Sequence, residues 1–472
     1  MEGVDDLGLF WLPDDEDDAL AGRLVFDPND TGTNLYLMGV FKPYLYRNAS
    51  PGTHKRIHGW VDNSAITLND CLEPHVTHSA PGPNRSRFHA NELFVGHHLN
   101  DALEFDSVSI YLEHLDVLLG HCGINNTSSK DGYMIEFVRP SPQSADFERG
   151  SVSIEYAWEY GHASIVESSV VCKPYFRIEY QIRQRFERIQ DDIACLESLV
   201  SICADSPTVV DKIVLTRSDA LVTMLNGRES RFLQPIEYRT ASWTYTPPEL
   251  RKPRSQYDLL LTFEELGGIQ TVAAWLERTP RLQRPISSLT SIVRTRHMFA
   301  ENKFMNVTYA AEALHRSIDD SGMRMDQESL GALLESYIEQ TPPDLHEWLI
   351  DRLRFANEPS LGKRLNSMAG RIGELSRQLV GDRRRWANTI TYIRNDVTHL
   401  GADGKGLGGG ALYYLTESVN AIARMYLLVH VGVPVTTLET RLADHKLLQY
   451  RSRIMESINT ARDYLRSNGI MQ

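Results

Sequence analysis

Arg383-Arg384-Arg385-Trp386-Ala387-Asn388-Thr389-Ile390-Thr391-Tyr392-Ile393-Arg394-Asn395-Asp396-Val397-Thr398-His399-Leu400 carries two patterns at once. Trp386, Ile390, Ile393, Val397 and Leu400 follow one another at alternating four- and three-residue steps, which on a helix makes one apolar stripe. Such a stripe has to face a core. At about 100° per residue, Asn395 and His399 stand one turn apart roughly opposite the stripe, with Arg394 at its edge. The three polar groups are therefore presented together, away from the core. Gly401 then offers a left-handed C-cap position, which puts His399 in the last turn.

An Arg-Asn-x3-His spacing joins a permanent cation to a group that titrates near neutrality. That is the minimum equipment for cutting a phosphodiester without a metal. RNA cleavage needs a base for the ribose 2′-OH, an acid for the leaving 5′-oxygen and positive charge against the phosphate. One Arg-His pair is short of this set. Two symmetric copies would bring two arginines and two histidines to one cleft, so a homodimer is expected on chemical grounds. Upstream, Arg371, Arg377, Arg383, Arg384 and Arg385 form a local basic surface, of which Arg377, Arg383, Arg384 and Arg385 are candidates for RNA contact. Polar residues opposite an apolar stripe are also what a solvated helix face carries, and the arginine cluster fits that reading as well.

Long amphipathic stretches surround this segment: Ser287 to Phe299, Phe304 to Ile318, Gln327 to Gln340, Leu345 to Phe355, Leu361 to Leu379, Ala411 to Val431 and Arg441 to Leu465. Residues 286–472 are expected to be all helical. Residues 1–245 read instead as short β-like runs between turns, among them Arg23 to Phe26, Asn34 to Phe41, His58 to Trp60, Ala65 to Leu68, Ser151 to Trp158, Ser164 to Cys172, Tyr175 to Gln184 and Val209 to Thr216. One helix is expected among them, at Ile189 to Ala204. Residues 246–285, punctuated by five prolines, read as a connecting region with a short helix at Ile269 to Leu276. The fold class is thus α+β multidomain, with a β-rich first domain and an all-α bundle after it.

Composition narrows the function. A chain of 472 residues with 42% apolar side chains can bury two cores, and its net charge of -13 argues against binding nucleic acid through bulk charge. Five cysteines without Cys-x-x-Cys spacing suggest free thiols in a reducing compartment, so a cytoplasmic location is expected. The amino terminus is acidic where a secretory signal is basic, and the apolar stretch from Met425 to Val435 is too short to span a bilayer, so no membrane association is expected. Nine of the sixteen histidines lie between residues 54 and 121, including His54, His58, His75, His78, His97 and His98, near Cys71 and Cys122. No pair has the spacing of a known zinc motif, and neither a metal nor a cofactor is expected. Glu312, His315 and Arg316 share one side of a helix and could support Arg394 across a cleft or belong to an ion-pair network. The acidic run Asp14 to Asp18 reads as a solvated terminus or as a mimic of nucleic acid. Lys405 in the loop Gly401 to Gly410 does not make a phosphate loop, because a helix precedes it and no hydroxyl residue follows it.

The Arg394-Asn395-x3-His399 motif near a helix end, the glycine-rich loop and the long helix after it (Leu412, Leu415, Val419, Ile422, Tyr426, Val429) resemble a HEPN domain. Phe304 to Arg316 resembles the early helix of the ApeA-like branch. Gly22-Arg23-Leu24-Val25-Phe26, His58-Gly59, Ile66-Thr67-Leu68-Asn69-Asp70-Cys71, Gly96-His97-His98 and Phe105 are similar to the amino-terminal domain of ApeA defence proteins. The resemblance implies a dimeric, metal-independent endoribonuclease of bacterial abortive infection, quiet until a phage protein is sensed and then cutting RNA, with tRNA anticodon loops as the expected target. By the same resemblance Arg394 would hold the scissile phosphate, His399 would act as acid or base, Asn395 would orient one of them, and the β-rich part would sense or regulate. A second reading, a non-catalytic HEPN interaction or nucleotide-binding module with a structural Arg-His pair, stays open.

Overall fold

The computed structural model describes residues 3–13, 15–28, 32–41, 52–77, 81–100, 102–130, 132–161, 169–223, 229–241, 255–295, 298–319, 323–399, 406–443 and 446–471. Their contacts divide the chain between Glu277 and Arg278 into two units.

In the first unit, β1 (Val4–Trp11), β2 (Leu20–Asp27), β3 (Gly32–Leu37), β4 (Thr53–Val61), β5 (Ser64–Thr77) and β6 (Arg85–Val95) are each antiparallel to their neighbours. The pairings run β1–β2–β3–β6–β5–β4 and back to β1, so six strands close into a barrel. Closure leaves these strands no free edge between them. Phe10, Leu24, Phe26, Leu35, Ile57, Leu68 and Phe88 fill the interior. Close approach explains the glycine that follows His58: a Cβ on Gly59 would stand 2.5 Å from the Phe10 ring. Gly22 meets the same ring from the neighbouring side, with a Cβ position 3.1 Å from it.

The last residues of β6, Leu93 to Val95, pair with a strand from much later in the chain and carry the sheet out of the barrel. The strands that follow β6 are β7 (Glu104–Leu112), β8 (Ile124–Ser129), β9 (Gly132–Phe137), β10 (Gln143–Phe147), β11 (Gly150–Tyr160), β12 (Val170–Arg185), β13 (Val210–Thr216), β14 (Leu221–Thr223), β15 (Glu229–Leu233) and β16 (Ile236–Arg239). Beyond β6 the sheet runs β16–β13–β7–β12–β11–β10, while β8–β9 and β14–β15 form separate ribbons. The two expected runs around Pro174 are one strand, β12, and residues 164–168 lie outside the described residues.

Among the described residues four α-helices complete this unit: α1 (Leu115–Leu119), α2 (Phe186–Ala204), α3 (Phe263–Leu266) and α4 (Gly268–Arg278). Helix α2, expected from its periodicity, packs on β7 and β12. It is also tied down by charge, because buried Asp192 accepts two hydrogen bonds of 2.7 Å from Arg149 and one of 3.0 Å from the Tyr180 hydroxyl. Leu259, Leu260 and Leu261 are buried, and the Trp275 indole donates to the Cys195 carbonyl of α2 at 2.9 Å. The described residues from 255 to 277 therefore belong to the first unit, and the division falls inside the segment 246–285 that reads as a connection.

The second unit is helical: α5 (Gln283–Arg294), α6 (Ala300–Ile318), α7 (Gln327–Glu339), α8 (His346–Leu353), α9 (Leu361–Ile372), α10 (Glu374–Val380), α11 (Arg383–His399), α12 (Gly409–Val431), α13 (Val435–Leu442), α14 (Lys446–Gln449) and α15 (Arg451–Ser467). Helix α12 is buried through most of its length, with α6, α9 and α15 against it. Two expected helices are broken. Leu361 to Leu379 divides at Gly373, whose φ of +70° is a conformation that side chains rarely adopt, and Arg441 to Leu465 divides into the end of α13, α14 and α15. No helix among the described residues is long and apolar enough to cross a membrane.

Because Asp192 is fully buried and answered by both Arg149 and Tyr180, Asp192→Ala leaves a half-buried cation and a buried hydroxyl without their shared partner. Chemical denaturation of the full chain should show a loss of about 3–5 kcal/mol.

Candidate functional site

Trp386, Ile390 and Ile393 are buried, so the apolar stripe of α11 faces the core as its spacing predicts. The Trp386 indole donates to the Ser418 hydroxyl of α12 at 2.9 Å, which fixes the helix's rotation as well as its depth. Arg394 is consequently half-buried at the edge of the stripe and Asn395 is exposed. His399 is the last residue of α11; its side chain, Gly401 and Lys405 lie outside the described residues.

Three described polar residues of this segment, Arg394, Asp396 and Thr398, have partners that restrain them. The Arg394 guanidinium donates to Glu312 Oε2 of α6 at 3.3 Å. The Tyr464 hydroxyl of α15 donates to Asp396 at 2.9 Å, and the Thr398 hydroxyl donates to the Arg394 carbonyl at 2.7 Å. Glu312 also stands 3.5 Å from Arg316, whose guanidinium lies 2.9 Å from Glu358. Glu358 in turn pairs at 2.9 Å with Arg364, a cation almost wholly buried. Arg394, Glu312, Arg316, Glu358 and Arg364 thus form one chain of alternating charge. The i,i+4 spacing of Glu312 and Arg316 signals its second link. Glu358 and Arg364 gave no such signal, since what selects them is burial in the folded unit.

His315 stands apart from this network. Its ring is buried and stacked on Tyr426, with centroids 6.0 Å apart and planes 9° from parallel. Among the described residues neither ring nitrogen has a hydrogen-bond partner, and burial holds its pKa below the ordinary histidine value, helped by Arg364 and opposed by Asp319. The arginine cluster is also separate. Arg377 pairs with Glu374 at 3.4 Å on the surface, Arg383 is half-buried, Arg384 is exposed, and Arg385 donates to Asn459 at 2.7 Å. Arg383, Arg384 and Arg385 begin α11 while Arg394 lies near its end, about 14–17 Å further along the axis at a 1.5 Å rise per residue.

His54, His58 and His98 of the first unit serve its packing. His58 stacks on His98 with centroids 5.1 Å apart, the His98 ring contacts the Gly59 carbonyl at 2.9 Å, and His54 packs against Phe41 and Phe88. His75 contacts the Thr77 hydroxyl at 2.9 Å, and burial holds the Cys71 thiol well above its usual pKa. Among the described residues no three His, Cys, Asp or Glu side chains are grouped to hold a metal ion. His78 and Asp14 lie outside those residues, and Glu16, Asp17 and Asp18 are exposed.

A strand-rich unit built around a closed barrel, with a helical unit presenting an Arg-Asn-x3-His motif, defines the class. A family model for the ApeA N-terminal domain 1 matches residues 7–268, more than half of the chain, and one for the Apea-like HEPN domain matches residues 305–437, so the chain belongs to the ApeA-like HEPN proteins. No curated protein and no solved structure matches it significantly. Membership makes a nuclease-like anti-phage effector the coarse functional reading.

A histidine kept neutral by burial binds its proton less readily folded than unfolded. Between the depressed folded pKa and the ordinary value near 6.5 the unfolded chain holds more protons, so stability falls as pH drops through that window and rises with pH. His315→Phe, which preserves a ring against Tyr426, should lose less thermal stability than the parent between pH 7 and pH 5. An unchanged slope would show that His315 does not contribute to it.

Proposed function

We propose that the chain is a metal-independent endoribonuclease that acts as an abortive-infection effector against phage, cutting RNA and in particular tRNA at the anticodon loop. The observation that carries this reading is Arg394, a permanent cation restrained by Glu312 at 3.3 Å, beside exposed Asn395 on the last turns of α11. A guanidinium held before substrate arrives can hold a phosphate with little further ordering. Arg394 holds the scissile phosphate, and Asn395 orients Arg394 or His399. His399 either takes the proton of the 2′-OH or gives one to the leaving 5′-oxygen. The 2′-oxygen attacks phosphorus, the bond to the 5′-oxygen breaks, and the products are a 2′,3′-cyclic phosphate and a 5′-hydroxyl. One chain contributes one such Arg-His pair, so a homodimer through the HEPN domains supplies the second acid-base group. Arg377 on α10 and Arg383, Arg384 and Arg385 at the start of α11 contact the RNA, and Glu312 and Arg316 support the site. The β-rich domain, residues 1–245, regulates the helical one and senses a phage protein, in the cytoplasm of the cell.

The rival reading, a non-catalytic module that senses a phage or nucleic-acid ligand, is favoured by the same Arg394–Glu312 contact if that pair serves only to join α6 to α11. Incubating the purified protein with total tRNA and excess EDTA separates the two. Cleavage is expected to persist under chelation and to fall at least about a hundredfold in His399→Ala and in Arg394→Ala. Equal cleavage by the parent and both variants would overturn the site assignment, and loss on chelation would overturn metal independence.

A further inference from the structure

The charge chain that ends at Arg394 begins at the base of the α7–α8 hairpin. None of the described residues from 323 to 356 is buried, so the hairpin is fastened through its two ends. Asn357, itself buried, makes that fastening: its side chain donates to the Met325 carbonyl at 2.9 Å and accepts from the Met325 amide at 3.0 Å. Glu358 is the next residue, and a single oxygen of it faces both Arg316 and Arg364 at 2.9 Å. Arg364 is too deeply buried to lose its carboxylate cheaply, and its Nε is already given to the Pro359 carbonyl at 3.0 Å. Glu358 is therefore held from two sides.

Distances decide where Arg316 belongs. It stands 2.9 Å from Glu358 and 3.5 Å from Glu312, so Glu358 has the stronger hold. Glu312 is thereby left to spend its second oxygen on Arg394 at 3.3 Å. Without the charge of Glu358, Arg316 would turn to Glu312, and two guanidiniums would share one carboxylate.

We propose that Glu358 is a positioning residue for Arg394, acting through Arg316 and Glu312. This rests on Arg394 being the phosphate-holding group of the proposed ribonuclease. Glu358→Gln releases Arg316 onto Glu312 and loosens Arg394, whereas Arg316→Gln leaves Glu312 wholly to Arg394. The two substitutions therefore move Arg394's availability to a phosphate in opposite directions. Since Glu358 reaches Arg394 only through Arg316, the double variant binds RNA as Arg316→Gln does.

The test is binding of a fully 2′-O-methylated RNA oligonucleotide, which cannot be cut by 2′-OH attack, to the full chain at low salt, with thermal unfolding recorded for each variant. Expected are binding about threefold tighter in Glu358→Gln, about threefold weaker in Arg316→Gln, and equal to Arg316→Gln in the double variant. A purely structural role would weaken binding in both single variants, and that result, or no change in either, overturns the proposal. Arg394→Gln distinguishes the two levels: if it leaves binding unchanged, the phosphate role of Arg394 fails and the proposal fails with it. If Glu358→Gln does not fold, Arg316→Gln decides alone, its side chain being 55% exposed, and binding as tight as the parent's overturns the relay.

Discussion

A guanidinium at the edge of a helix's apolar stripe has two ways to be satisfied, by water or by a carboxylate on a neighbouring helix. Arg394 has the second, and much of the arrangement of the helical unit follows from it. Glu312 reaches it only because α6 lies beside α11, and the direction in which α11 presents its polar face is fixed at depth by Trp386 on Ser418. Asp396 and Tyr464 bring in α15 on the same stretch of α11. The helix that carries the motif is thus tied by hydrogen bonds to α6, α15 and α12, and it packs against α9. Partly desolvated charge pairs of this kind add little net stability but specify geometry well, because a misplaced partner leaves a charge unanswered.

The helical half was legible because a period of 3.6 residues is a local property. It located α6, α7, α11 and α12 and gave the phase of Arg394 and Asn395. It did not reveal the break at Gly373, which depends on one positive φ, or the nonlocal choice of Glu358 and Arg364, which lie dozens of residues from Arg394. The barrel was harder to read for a physical reason visible in β1. There Leu7 and Leu9 point to solvent, at 78% and 51% exposure, while Gly8 and Phe10 alternate on the other face. Alternation of apolar residues marks the wrong face of that strand. In β6, small Ser86 and Ala90 face inward beside Phe88, so the inward set does not stand out as apolar.

Four of the residues that carry the resemblance in the first half, Gly22, His58, Gly59 and His98, are matters of packing. Gly22 and Gly59 leave space for the ring of Phe10, and His58 and His98 stack beside the loop after β6, where the Leu99 carbonyl accepts from Arg56 at 2.9 Å. A glycine or histidine can recur because a backbone must come close, with no chemistry attached. In the second half the reverse holds, since Asn395 is exposed at the surface and supports no core.

Strand β6 belongs both to the closed barrel and to the open sheet, through pairs such as Leu93↔Leu68 and Leu93↔Arg239. Arg239 lies 239 − 93 = 146 residues further along the chain than Leu93. At about 5–20 residues per second, a ribosome delivers that partner roughly seven to thirty seconds after β6 itself. During synthesis the end of β6 is an unpaired strand edge, a template for joining the wrong chain. The topology therefore makes the first half slow to complete and exposed to misassembly while it is being made, a demand that falls on the cell's chaperones before the protein can act at all.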